Sequence, residues 1–170
     1  SQVTEKTRAI VLINPNNPTG AVYPEALLKD IAALARRHGL VLMSDEIYDS
    51  MLYDGAAFVP MATLADGALC ITYSGLSKVY RACGYRVGWC SISGTSAESV
   101  GYLQGLELLA ALRLCSNVPA QWAVQTALGG YQSIHELTAP SGRLYQSRQA
   151  VLDAVAASDV LNVAAPGGSM

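Results

Sequence analysis

The sequence holds 170 residues, 51% of them hydrophobic and 14% charged, with a net charge of −2. That balance excludes a disordered chain, and the scattered Lys and Arg residues form no basic stripe for nucleic acid. No apolar run reaches the roughly 18 residues of a membrane span, because Arg113 closes Leu108–Leu112 and Asp153 and Asp159 interrupt Val151–Leu161.

Residues Ser1 to Arg8 carry no apolar leader and run straight into Ala9-Ile10-Val11-Leu12-Ile13, so the chain reads as starting in mid-domain. This continuous apolar run predicts a parallel strand covered on both faces. An Asn/Pro/Gly cluster ends it. Pro24 suits a helix's first turn, Leu27, Ile31, Leu34 and Ala35 share a face, and Gly39 is a suitable terminator. Leu40-Val41-Leu42-Met43 follows as a second buried strand, completing a βαβ unit whose crossover is expected to be right-handed. Ala68–Thr72 and Val87–Ile92 read as two further strands. Their connection is too short for a crossover helix, which predicts that the last strand runs antiparallel to its neighbour.

Beyond Gly94 the pattern turns helical: Thr95 and Glu98 have capping-box spacing, and Leu103, Leu106, Leu109, Ala110 and Arg113 carry the period to a break at Asn117-Val118-Pro119. A second helix is expected from Pro119 to Leu128, ended by Gly129-Gly130, and a longer one after Pro140-Ser141-Gly142, continuing to about Ser158. The four cysteines, Cys70, Cys83, Cys90 and Cys115, form no C-x-x-C pair, and with His38 and His135 they offer no zinc spacing. Buried or partly buried free thiols, no metal, and a cytoplasmic setting are the expectations. The high apolar fraction points to surfaces that meet further chain or a second subunit.

Three segments carry chemistry: Asn14-Pro15-Asn16-Asn17-Pro18-Thr19-Gly20, Ser44-Asp45-Glu46-Ile47-Tyr48, and Ser77-Lys78 with Arg86 eight residues on and Gly88-Trp89 behind it. The first two follow strands, in the crevice where α/β sheets bind ligands. Each has a plain structural alternative. Asn17-Pro18-Thr19-Gly20 suits a tight turn, Asp45 a helix cap, Tyr48 a half-buried aromatic, and Lys78 a solvated charge. Arg86, with its planar fork, suits a phosphate.

In this order the three segments resemble fold-type I, pyridoxal 5'-phosphate (PLP)-dependent aminotransferases of class I/II. The likeness runs nearly the whole chain, and Gly105 to Gln121 with Thr126 to Gln132 is particularly similar to bacterial glutamate–pyruvate (alanine) aminotransferases. The resemblance implies an α/β fold, a mainly parallel sheet flanked by helices, as a partial large PLP-binding domain over residues 1–139. Residues 140–170 would be a helix leading into an incomplete small C-terminal domain. It makes Lys78 the Schiff-base lysine, Asp45 the partner of the pyridine nitrogen, Tyr48 and Asn17 partners of the phenolic oxygen, and Arg86 the phosphate ligand. Relatives often place Ser or Thr three residues before the lysine; Gly75 stands there, so Ser77 or Ser74 would have to substitute.

The family's upstream glycine-rich phosphate turn, ring-stacking aromatic and downstream carboxylate-binding arginine have no counterpart in residues 1–170, so these residues are expected to be inactive alone. The implied reaction moves an amino group from an amino acid, alanine or glutamate first, to a 2-oxo acid, in a homodimer. Tyrosine or aromatic aminotransferase, PLP-dependent β-lyase and a PLP-sensing regulator are the alternatives.

Overall fold

The computed structural model describes residues 2–169, apart from the side chain of Glu98. Four strands, β1 (Ala9–Ile13), β2 (Val41–Asp45), β3 (Cys70–Gly75) and β4 (Gly88–Ser93), form one sheet in the order β1-β2-β3-β4. The first three are parallel, with Ile13 beside Asp45 and Asp45 beside Tyr73. As expected from the short connection, β4 runs antiparallel to β3, pairing Gly75 with Gly88.

Helix α1 (Glu25–His38) crosses from β1 to β2, with Pro24 at its N-cap and Gly39 closing it in the left-handed conformation at φ 61°. Pro24 therefore stands one step outside the first turn. The buried face is Leu28, Ala32 and Ala35, with Ile31 partly buried beside it. Leu27, assigned to that face from its spacing, is exposed. With 100° per residue a stripe is blurred by one position, and Leu27-Leu28 offers two adjacent candidates, of which packing selects the second.

Leu28, Ala32 and Ala35 pack with Leu12, Leu42, Cys70 and with Met61 of the short helix α2 (Met61–Leu64) in the main core. Burying a side chain of Leu or Met size contributes about 1.5–3 kcal/mol, so this cluster is what holds the sheet to its helices. The opposite face of β1 is not covered as expected: Val11 is 67% exposed, because α1 and α2 both lie on the side of Leu12.

The second half is helical: α3 (Val100–Arg113), α4 (Val118–Gly129), α5 (Ile134–Thr138) and α6 (Arg143–Ala156). The Thr95–Glu98 capping box rests on a side chain outside the described residues; the cap described is Ser96 N–H donating to Ser99 Oγ at 2.9 Å. In α4, Asn117 Oδ1 accepts from Ala120 N–H at 3.4 Å and Pro119 occupies the first turn. No residue of α3 is buried, and Leu108, Leu109, Leu112, Leu114, Trp122 and Tyr131 lie exposed.

The tail returns to the sheet's carboxyl rim. Gly167 and Gly168 donate to Gly20 O at 2.9 and 3.0 Å, and Gly168 bridges Leu52. Of the thiols only Cys70 is buried; Cys83, Cys90 and Cys115 are exposed, against the expectation of burial. A strand pattern reports the inward thiol of β3, whereas Cys90 occupies an open position of β4. No helix is long and apolar enough to cross a membrane among the described residues.

Candidate active site

Parallel pairing sets the carboxyl ends of β1, β2 and β3 side by side, and each expected site segment leaves the sheet from one of them. From β1 the chain enters a turn in which Asn14, only 2% exposed, accepts at Oδ1 from Tyr23 N–H at 2.9 Å. Asn16 Oδ1 accepts from Thr19 Oγ1 at 2.7 Å, and Asn16 N–H donates to Ala21 O at 2.8 Å. These bonds shape the turn, and they leave Asn17 to reach outward. Its Nδ2 donates to Tyr48 Oη at 3.2 Å.

From β2, Asp45 Oδ1 accepts from Ile47 N–H at 3.1 Å. That bond fixes the carboxylate at the strand's end and leaves Oδ2 without a hydrogen bond from the described residues. No helix follows Asp45, so in place of the helix cap its carboxylate closes a turn.

Glu46, next in sequence, does something else. It is buried, accepting from Ser44 Oγ at 2.9 Å and from Met61 N–H at 2.8 Å, where it caps α2. Burial pushes its carboxyl above the usual range despite those bonds. Asp49 is also raised by burial.

Tyr48 is 2% exposed and packs with Met51, Val79 and Ile134. Its ring is thus a rigid platform. Lys78, in the loop after β3, stands with Nζ 5.6 Å from the ring centroid and makes no ion pair among the described residues. Asn17, Tyr48 and Lys78, separated by up to 61 positions in sequence, therefore meet at one rim.

Ser77 lies just past the end of β3 and Arg86 just before the start of β4. The ladder ends with Gly75 beside Gly88, and Leu76 N–H donates to Val87 O at 3.0 Å just beyond it. Arg86 has φ 55°, is exposed, and donates from Nη1 to Cys83 O at 2.7 Å. Gly75 has a steric reason. A Cβ there would stand 2.8 Å from Val87 O and 3.1 Å from Gly88 Cα, so a serine at this position would have to push β4 aside.

Sequence reasoning passed over Arg81, whose guanidinium reaches Ser133, because a lone arginine in a loop carries no pattern. It also left Glu46 paired with Asp45 as one charged run. Only the alternation along β2, which turns Ser44 inward, separates a buried Glu46 from an outward Asp45.

A mainly parallel α/β sheet carries a lysine, a carboxylate, a tyrosine and an asparagine at one rim, and the family description "aminotransferase class I and II" matches residues 1–170. The chain belongs to that family. It is 55% identical over 148 residues to the glutamate-pyruvate aminotransferase AlaA of Escherichia coli, covering 87% of this chain and 36% of that protein. Over 148 residues it is 53% identical to the alanine aminotransferase of Mycobacterium bovis, covering 87% of this chain and 34% of that one. A crystal structure of an Escherichia coli aminotransferase superposes on 99% of this chain, and 42% of its own, with a TM-score of 0.96 at 50% identity. The chain thus spans less than half the length of these relatives.

Proposed function

We propose that this chain is the cofactor-holding part of a PLP-dependent aminotransferase that moves an amino group between an amino acid, alanine or glutamate, and a 2-oxo acid. The observation that carries the proposal is the convergence of Asn17, Tyr48 and Lys78, with the 3.2 Å bond from Asn17 to Tyr48 and the amine 5.6 Å from the tyrosine ring. The names of the relatives support the choice of alanine and glutamate.

The donor set fits such a cofactor. An amine without an ion pair is available for imine chemistry, two polar groups already in contact can share a phenolic oxygen, and a carboxylate oxygen is left over for a pyridinium. When bound, PLP supplies an electron sink for the carbanion that forms as the substrate Cα loses its proton.

The chain's own residues do the rest. Lys78 would hold the cofactor through its amine and would accept and return the substrate Cα proton at Nζ. Asp45, held by Ile47 N–H, keeps the ring nitrogen protonated. Tyr48 and Asn17 hold the phenolic oxygen, and the buried ring of Tyr48 limits where Lys78 can swing. Arg86 and Ser77 would hold the phosphate, Arg86 with its guanidinium as the cation.

Residues 1–139 serve as part of the large domain and 140–170 as the approach to a smaller one. The exposed apolar side chains of α3 and α4 support a homodimer, and the setting proposed for it is the cytoplasm. The test is full-length protein with PLP, L-alanine and 2-oxoglutarate. Glutamate formation that Asp45→Ala reduces by about 100-fold or more is expected. Turnover of tyrosine alone, or release of ammonia and pyruvate from a β-substituted amino acid, would move the assignment to the rival enzymes.

A further inference from the structure

We infer that Arg81 is a positioning residue that ties the Lys78 loop to the α4–α5 connection and so sets where Nζ stands over the Tyr48 ring. This rests on the reading of Lys78 as the cofactor-binding amine.

The loop from Leu76 to Ala82 is closed on itself by two backbone bonds, Arg81 N–H to Lys78 O at 2.9 Å and Ala82 N–H to Leu76 O at 2.9 Å. Arg81, between them, stands at φ 51°, a conformation that glycine adopts freely and other residues rarely do. An arginine there calls for a use of its side chain, and the guanidinium has one. Nη1 donates to Val79 O at 3.1 Å and Nη2 to Ser133 Oγ at 2.5 Å, across 52 positions of sequence.

Val79 itself and Ile134, next to Ser133, make a second link. Val79 and Ile134, 4% and 1% exposed, pack together with Tyr48 in one apolar cluster. Residues 79 to 81 are therefore fixed to residues 133 and 134 at two points, one apolar and one polar. Because Tyr48 belongs to the same cluster, the clamp fixes Lys78 relative to the ring beneath its amine. Without the polar point the loop can pivot about Val79, and Lys78 rides on the pivot.

The experiment uses full-length protein: Arg81→Gly, Arg81→Lys, Ser133→Ala, the Arg81→Gly/Ser133→Ala pair and Lys78→Ala. The readouts are the rate of borohydride-fixed pyridoxyl labelling at Lys78, kcat, KM and amide exchange at residues 81 and 82. Arg81→Gly should slow labelling and kcat by about tenfold, leave KM within about twofold, and speed exchange. Ser133→Ala should show the same pattern more weakly, and the pair should be no worse than Arg81→Gly alone. Arg81→Lys, which keeps charge but not the fork, should fall between.

A folded Arg81→Gly protein with wild-type labelling and kcat overturns the inference, as do additive effects in the pair. If Arg81→Gly does not fold, Ser133→Ala and Arg81→Lys decide, and wild-type values for both overturn it. Label retained in Lys78→Ala refutes the reading of Lys78 and the inference with it; label lost there while Arg81→Gly behaves as wild type overturns the role of Arg81 alone.

Discussion

Gly75 is the position at which the structure makes the sharpest demand. A serine three residues before Lys78 would add a hydroxyl there, yet an added Cβ would meet Val87 O at 2.8 Å and Gly88 Cα at 3.1 Å, both of them backbone at the start of β4. Strand backbone cannot rotate aside as a side-chain tip can, so Gly75→Ser must spread the β3–β4 ladder at the Leu76 to Val87 bond, now 3.0 Å. Overpacking of this kind costs about 1–3 kcal/mol, which for a domain of this size lowers Tm by roughly 2–4 °C per kcal/mol. Spreading the ladder also disturbs the segments that carry Ser77 and Arg86, so PLP should be held less tightly despite the added hydroxyl. The assays are urea denaturation of Gly75→Ala and Gly75→Ser and PLP retention on dialysis. Wild-type stability in both variants, or tighter retention in Gly75→Ser, would refute the steric argument.

Glu46→Gln keeps both acceptor contacts to Ser44 and Met61 but removes a titrating group. The folded-state pKa of Glu46 is raised, so the native protein holds this proton to higher pH than the unfolded chain does, and stability falls as pH rises from about 4.3 through the raised value. The variant should therefore flatten the decline in stability between acid and neutral pH and be at least as stable as wild type at pH 7.5. The slope that remains should belong partly to Asp49, shifted in the same direction by burial; a loss above about 1 kcal/mol at pH 7.5 would show that the charge is needed. Arg148 is 8% exposed and donates to Asp54 at 2.5 Å and to Pro166 O at 2.9 Å, joining α6 and the tail to the rim. Arg148→Ala should cost about 1–3 kcal/mol, mostly from the unpaired carbonyl, and free the tail from Gly20, visible as faster amide exchange at 167 and 168. Asn17→Ala should weaken PLP retention and leave Tm within about 2 °C, a shift of under 1 kcal/mol, and unchanged retention would remove Asn17 from the site.

What could be read from the sequence followed from local chemistry with long reach. Uninterrupted apolar runs reported the parallel strands, and the short link between β3 and β4 reported their antiparallel pairing. The motifs reported the rim, because each lies just past a strand. Short elements were illegible: α2 and α5 are too brief to show a 3.6-residue period, and their ends are fixed by distant groups such as Glu46 capping Met61 N–H. The clamp between Arg81 and Ser133, the buried state of Glu46 and the return of the tail to Gly20 all join residues far apart in sequence, which no local pattern encodes. Leu27 and the exposed thiols mark where spacing suggested burial that packing did not supply.

The chain has three lysines, Lys6, Lys29 and Lys78, of which Lys29 is engaged with Glu25 at 2.6 Å. Mixing the full-length protein with PLP, reducing with borohydride and mapping the pyridoxyl group by peptide mass spectrometry tests the central claim directly. Label confined to Lys78, at one group per chain and competed away by the amino-acid substrate, is the predicted result. Label spread over Lys6 and Lys29, or absent from Lys78, would contradict it.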